Sequence, residues 1–473
     1  MQKKFSIVVA EGDGIGPEIM EVTLHVLQAV QAPLLLHPID IGKKVYLQGE
    51  PTGIAKESKD ALTHADAFLK APVTTPQGGG FKSVNVTLRG WFGLFANVRP
   101  CLAYAHFVPT KHPHLDVVMI RENEEDLYTG IEYHSSRGTY QALKILTEEG
   151  CFRIIRYAFE YARAHGRKKV SCFTKDNILK MTDGLFHKLF EEIALSYPEI
   201  ETEHWIVDIG SAKFADHPES FDVIVLPNLY GDILSDIAAQ LTGSVGLAGS
   251  ANIGYTHAMF EAIHGSAPKR AGQNVANPSG LILASVQMLV HLGCIQEAQL
   301  IHNAWLKTIE DGIHTYDIYH PSTSRKQVGT KEFGQAVLER LGDLPSQLAP
   351  VQYKKSIPLS QERPLFPAKQ KCFIGVDVFI DWGENWEELQ KKMQSCLPPV
   401  FQIESIHNRG SSVWPIHSHF INVSDLWRFR IHAISQDHPA MYAQFLHFLE
   451  RLWKEEQLSV TQWIGIFSFD PIS

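Results

Sequence analysis

The apolar run Val223-Ile224-Val225-Leu226 passes through Pro227 into Asn228-Leu229-Tyr230-Gly231-Asp232-Ile233-Leu234-Ser235-Asp236-Ile237-Ala238-Ala239-Gln240-Leu241. Four apolar residues in a row read as a buried strand, and the Ile/Leu/Ala spacing after Gly231 reads as a helix. A buried strand running straight into a helix is the building unit of an α/β fold. On that helix Asp232 and Asp236 lie four residues apart and share one face, where two like charges repel unless a cation sits between them. Oxygen donors at the end of a strand suit Mg²⁺ or Mn²⁺. The plainer reading makes Asp232 an early-turn carboxylate favoured by the helix dipole and Asp236 a solvated charge.

The same alternation recurs. Strand signals stand at Phe5 to Ala10, Ala67 to Lys70, Val117 to Ile120 and Lys169 to Cys172, with amphipathic helices at Cys151 to His165 and Thr182 to Ser196. After the first strand, Glu11-Gly12-Asp13-Gly14-Ile15-Gly16 is a loop, and Pro17 is placed to open a helix carrying Ile19, Val22, Val26, Leu27 and Val30. Its glycines are spaced G-x-G-x-G, which argues against an ordinary dinucleotide phosphate loop. Residues 342–370 are rich in proline and lack a period, which marks a boundary. Beyond it strands at Phe373 to Ile380, Phe401 to Ile406, Leu426 to Ile434 and Trp463 to Phe469 alternate with helices at Trp386 to Ser395 and Ala440 to Lys454. That order, βαββαβ, predicts a small ferredoxin-like α+β domain.

The chain has 473 residues, enough for about three domains on a length prior alone. Its net charge of −9 is spread without a basic block, which argues against nucleic acid. No apolar run approaches the ~20 residues of a membrane span. Six scattered cysteines with no CxxC pair fit a reducing cytoplasm. Three arginines then stand out. Arg89 closes Lys82-Ser83-Val84-Asn85-Val86-Thr87-Leu88-Arg89, Arg99 sits in Asn97-Val98-Arg99-Pro100, and Arg121 opens Arg121-Glu122-Asn123-Glu124-Glu125-Asp126-Leu127-Tyr128. Each guanidinium can take a carboxylate with two parallel hydrogen bonds, so three of them beside a divalent metal suit a polycarboxylic acid.

Together with Gly12 to Glu18, Asn228 to Asp236 and His264-Gly265-Ser266-Ala267-Pro268-Lys269, these motifs resemble the β-decarboxylating dehydrogenases, the isocitrate/isopropylmalate dehydrogenase family, in order over residues 1 to about 342. The tail from Val376 through Gly410 is similar to the extra domain of the family's bacterial, isocitrate-oxidising members. The resemblance implies a two-domain fold with mixed sheets: residues 1–98 and 250–342 as the large, cofactor-side domain, 99–249 as the small domain with a dimer clasp near 128–146, 343–370 as linker and 371–473 as the C-terminal domain. It implies a homodimer whose active sites are shared. Ser83, Asn85, Arg89, Arg99 and Arg121 match the substrate-binding residues. Tyr128 and Lys175 match the catalytic acid and base. Asp208, Asp232 and Asp236 match the ligands of Mg²⁺ or Mn²⁺, with Lys175 and Asp208 reaching in from the partner subunit. Lys70, Thr74, Thr75, His264, Gly265, Ser266, Ala267, Pro268, Lys269, Arg270, Asn277 and Tyr316 match the residues around the nicotinamide cofactor.

Lys269-Arg270 stands where NAD-dependent members carry a carboxylate, so the expectation is NADP; Arg270 and His320 depart from some NADP-dependent members, which leaves NAD as the alternative. Ser83 and Asn85 suit a third carboxylate, hence isocitrate, with isopropylmalate or homoisocitrate as rivals. A non-catalytic regulatory subunit is a further rival, opposed by the presence of Tyr128, Lys175, Asp208, Asp232 and Asp236 together.

Overall fold

A computed structural model describes residues 4–76, 78, 80, 82–354, 371–415, 422–434 and 441–469. Gly79, Phe81 and Ala440, and Pro358, Pro364 and Pro367 of the expected linker, lie outside the described residues. The chain divides into two compact units, Met1–Thr129 with Lys144–Pro364, and Gly130–Leu143 with Leu365–Ser473.

The first unit is organised on one mixed sheet of ten strands. Across it run Leu34–Pro38, Phe5–Ala10, Ala67–Lys70, Ala258–Ala262, Gly249–Ile253, Ala96–Leu102, Asp116–Glu122, Val223–Leu226, Lys169–Thr174 and Glu201–Ile206. The outer strands pair in parallel, while Gly249–Ile253 and Ala96–Leu102 make the antiparallel pairs at the centre. The expected domain borders at 98/99 and 249/250 fall at these two central strands, through which the sheet runs on. Val223 to Leu226 are fully buried, as helices on both faces require.

Local chemistry sets the helix ends. The helix Glu148–His165 starts where Thr147 Oγ1 accepts from the Gly150 amide at 2.9 Å and stops at Gly166, in the left-handed region. Cys151, Ile154, Ile155, Ala158, Phe159 and Ala162 form its buried stripe. Pro17 opens the helix Gly16–Ala29, with Ile19, Val22, Val26 and Leu27 buried.

The second unit holds an antiparallel sheet in the order Ser411–Trp414, Phe401–Asn408, Leu426–Ala433, Cys372–Asp381, Val460–Ser468, with helices Trp386–Cys396 and Met441–Glu456. Without Ser411–Trp414 this is the βαββαβ strand order expected of a ferredoxin-like domain. Val376, Val378, Trp427, Phe429, Phe445 and Phe448 fill its core. The hairpin Glu132–Ser136/Thr139–Ala142 belongs to this unit too. Its tip is held by the Asp425 carboxylate, which accepts from Ser136 Oγ at 2.7 Å, the Gly138 amide at 2.8 Å and Thr139 Oγ1 at 3.0 Å.

Candidate active site

The helix Asn228–Leu241 leaves the sheet directly after Val223–Leu226 and points its first turn at Arg121, the penultimate residue of the neighbouring strand Asp116–Glu122. A side chain at Gly231 would collide with Arg121, so the glycine lets the guanidinium cross the helix. Arg121 donates to Asp232, to the Asn228 carbonyl at 3.1 Å and to Asn228 Oδ1 at 2.8 Å. Tyr128 OH donates to the other Asp232 oxygen at 2.5 Å, and the Arg121 guanidinium lies 4.8 Å from the centre of its ring. Arg99 reaches Asp236 at 3.1 Å, Asp232 at 3.7 Å and Ser235 Oγ at 2.6 Å. Burial works against the Asp232 anion, but Arg121 and Arg99 outweigh it and hold the carboxyl below the usual range. The Tyr128 phenol moves the other way, pushed up to about 12 by burial and by its bond to Asp232 against the pull of Arg121.

Beneath the arginines lies a polar network that the sequence reading missed. Glu261 is buried and pairs with Lys70, with Arg89 at 3.3 Å and with Asn252 Nδ2 at 2.8 Å. Asn252 Oδ1 in turn accepts from Asn97 at 3.1 Å and Asn123 at 3.0 Å, and Asn97 Oδ1 accepts from Arg99 Nε at 2.6 Å. Glu261 thus ties the placement of Arg89 to that of Arg99. Its one signal in the sequence is a lone carboxylate inside the apolar strand Ala258–Ala262. Lys70 is fully buried, with its ammonium turned to Glu261.

Lys175 and Asp208 form a second group. Lys175 Nζ lies 2.8 Å from Asp208, and its backbone amide donates at 2.7 Å to the buried Asp183, itself paired with Lys144 at 2.7 Å. No hydrogen bond or ion pair among the described residues joins Lys175 or Asp208 to Asp232 or Asp236.

The third group is a groove of loops. Asp13 accepts from the Thr74 amide at 2.8 Å, and Thr74 Oγ1 shares a hydrogen bond of 2.7 Å with Ser266. Gly14, at φ +63°, presses against the Ser266 backbone oxygen, where any Cβ would collide. The glycine loop therefore packs backbone on backbone against Ser266. Thr75 donates to Ser83 at 3.3 Å, and Asn277 donates to Asp317 at 3.0 Å. Gly265, Ala267, Pro268, Lys269 and Arg270 are exposed, with Arg270 stacked 4.6 Å above Tyr316. Asn85 Oδ1, Arg89 Nε and His264 Nε2 are buried polar atoms without a hydrogen-bond partner among the described residues.

The isocitrate/isopropylmalate dehydrogenase family model matches residues 6–337, and that of the bacterial isocitrate dehydrogenase C-terminal domain matches 371–472. The isocitrate dehydrogenase (NADP) of Rickettsia felis is 49% identical over 429 residues, covering 89% of this chain and 88% of that protein. A crystal structure of a Thermus thermophilus protein matches with a TM-score of 0.93 at 38% identity, over 99% of this chain and 94% of that one. The isocitrate dehydrogenase structure from Methylococcus capsulatus has a TM-score of 0.68 at 40% identity, over 71% of this chain and 99% of that one.

Proposed function

The chain belongs to the isocitrate/isopropylmalate dehydrogenase family, and we propose that its arginine–aspartate–tyrosine cluster oxidises isocitrate with NADP and releases CO₂, leaving 2-oxoglutarate. One observation carries this reading: three buried arginines, Arg89, Arg99 and Arg121, converge on the pair Tyr128–Asp232. Three fixed cations in so small a space call for a polyanion, and a tricarboxylate supplies it. Ser83 and Asn85, at the start of the helix that carries Arg89, offer polar contacts to the remaining carboxylate.

Asp232 and Asp236 are oxygen donors, with Asp232 held as an anion, and fit a hard divalent cation, Mg²⁺ or Mn²⁺, with Asp208 of a second copy as the further ligand. When bound, such a cation lowers the pKa of the substrate hydroxyl and stabilises the charge left after CO₂ departs. Bound NADP would supply the acceptor for the hydride that leaves the hydroxyl carbon. The arginines orient the carboxylates, Lys175 takes the hydroxyl proton, and Tyr128 returns a proton to carbon. A phenol held at about 12 keeps its proton at neutral pH, as an acid must.

The Lys175–Asp208 pair stands apart from Asp232 within one chain and serves the site of a second copy. Ile178, Met181, Ile209, Ile233 and Ile237, on the same stretches of chain, are exposed apolar side chains of the kind a two-fold dimer covers. Lys269 and Arg270 supply cationic donors for the 2′-phosphate that distinguishes NADP. The free cysteines suit a reducing cytoplasm, and no helix among the described residues is long and apolar enough to cross a membrane.

The direct test is turnover with Mg²⁺ and either coenzyme. Isocitrate with NADP should exceed isopropylmalate by orders of magnitude in kcat/KM, because a site built for polar contacts rejects analogues lacking them. Equal kcat/KM for the two acids would remove the assignment of Ser83 and Asn85.

A further inference from the structure

We propose that Asp176, His187 and His204 form a second cation site, selective for a zinc-class divalent ion and separate from Asp232 and Asp236. Three elements build it. Asp176 lies just past the strand Lys169–Thr174, His187 is on the second turn of the helix Thr182–Ala194, and His204 is on the adjoining parallel strand Glu201–Ile206. One ligand atom from each of the three side chains lies within 4.8 Å of the other two. His187 Nδ1 is 2.7 Å from Asp176 Oδ2, and the two imidazole rings stack with centroids 3.5 Å apart. All three residues are only partly buried, so solvent reaches them.

Two imidazoles and one carboxylate are the donor set of zinc, cobalt or nickel; Mg²⁺ prefers oxygen alone. Burial and the neighbouring His187 both lower the proton affinity of His204, which keeps it in the neutral, ligating form. A cation entering beside Asp176 displaces the proton shared with His187 Nδ1. The far nitrogen, Nε2, lies 3.6 Å from the exposed Glu191 carboxylate one helical turn on. The two ring planes are only 15° apart, so their in-plane lone pairs do not meet at one point, and one ring must turn about its Cβ–Cγ bond to share the ion; His204 Nε2 lies 2.8 Å from Thr174 Oγ1. Three protein ligands leave positions open to water. Asp176 directly follows Lys175, so an ion here would stiffen the turn that presents the Lys175 ammonium.

The experiment uses the full-length protein, freed of metal by a chelator and then saturated with Mg²⁺ and isocitrate. Co²⁺ is titrated in and followed through its visible d–d absorption. The expected result is one equivalent of Co²⁺ per chain, displaced by Zn²⁺, retained in Asp236→Asn, and weakened by more than about tenfold in His187→Gln and His204→Gln. Two results would overturn the proposal: no equivalent bound by the parent protein, or binding unchanged in both histidine variants. If a histidine variant fails to fold, retention or loss of the equivalent in Asp236→Asn decides the matter.

Discussion

Replacing Glu261 by glutamine tests whether the network under the arginines holds the site in shape. Glutamine keeps the volume and the contact with Asn252, but removes the charge that faces Lys70 and Arg89. Burial raises the Glu261 carboxyl, but Lys70 and Arg89 more than reverse this, and it titrates at about 2 where 4.5 is ordinary. At about 1.4 kcal/mol per pH unit, that depression corresponds to about 3 kcal/mol of folded-state stability. The figure agrees with the roughly 3–5 kcal/mol lost when one partner of a buried ion pair is removed. Lys70 is fully buried and would be left with an uncompensated charge.

Because the folded carboxyl titrates below the unfolded one, its contribution is complete above the ordinary carboxyl pKa. It fades as pH falls from about 4.5 toward about 2. Urea unfolding at fixed protein concentration should therefore show Glu261→Gln less stable by about 3 kcal/mol at neutral pH, with a shallower acid limb than the parent. Adding Lys70→Met should recover part of the loss, since removing both buried charges costs less than removing one. KM for isocitrate should rise as Arg89 loses its anchor. A variant within about 0.5 kcal/mol of the parent, the range of an ordinary surface change, would refute the reasoning.

Tyr128→Phe and Lys175→Met should each lower kcat by about 10²–10⁴ in steady-state assays, the usual share of acid–base catalysis. Near-normal turnover by either would end its role. Lys269→Asp combined with Arg270→Ile should move coenzyme preference toward NAD; a parent enzyme that already uses NAD as well as NADP would show that these cations do not read the phosphate. Asp425→Ala should free the hairpin tip, seen as faster hydrogen exchange at Gly138. In the parent the same loosening should follow as pH falls, because the hydrogen bond from Ser136, with those from Thr139 and Gly138, holds Asp425 below its ordinary pKa. Unchanged exchange in the variant would show the anchor is idle.

Local signals were legible because their physics is local. The apolar period from Cys151 to His165 reads as a helix, Pro17 opens one, and Val223 to Leu226 are apolar enough to be a strand in any α/β context. The spacing of Asp232 and Asp236 places both on one helix face before any fold is known. The βαββαβ order of the C-terminal unit followed from the same periodicities, and the motif resemblance named residues that did converge: Arg99, Arg121, Tyr128 and Asp232.

What surrounds each of those residues was decided only by tertiary structure. Asp232 meets Tyr128 across 104 positions of sequence, and Glu261 meets Arg89 across 172. The hairpin meets its anchor, Asp425, across 287. No period links such pairs; they are set by which strands lie side by side at the centre of the sheet and by loops whose closure costs little more entropy as they lengthen. Glu261 looks like an error inside an apolar strand until Lys70 and Arg89 are brought against it. A buried charge is tolerated only with its partners in place, and those partners exist only in the folded chain.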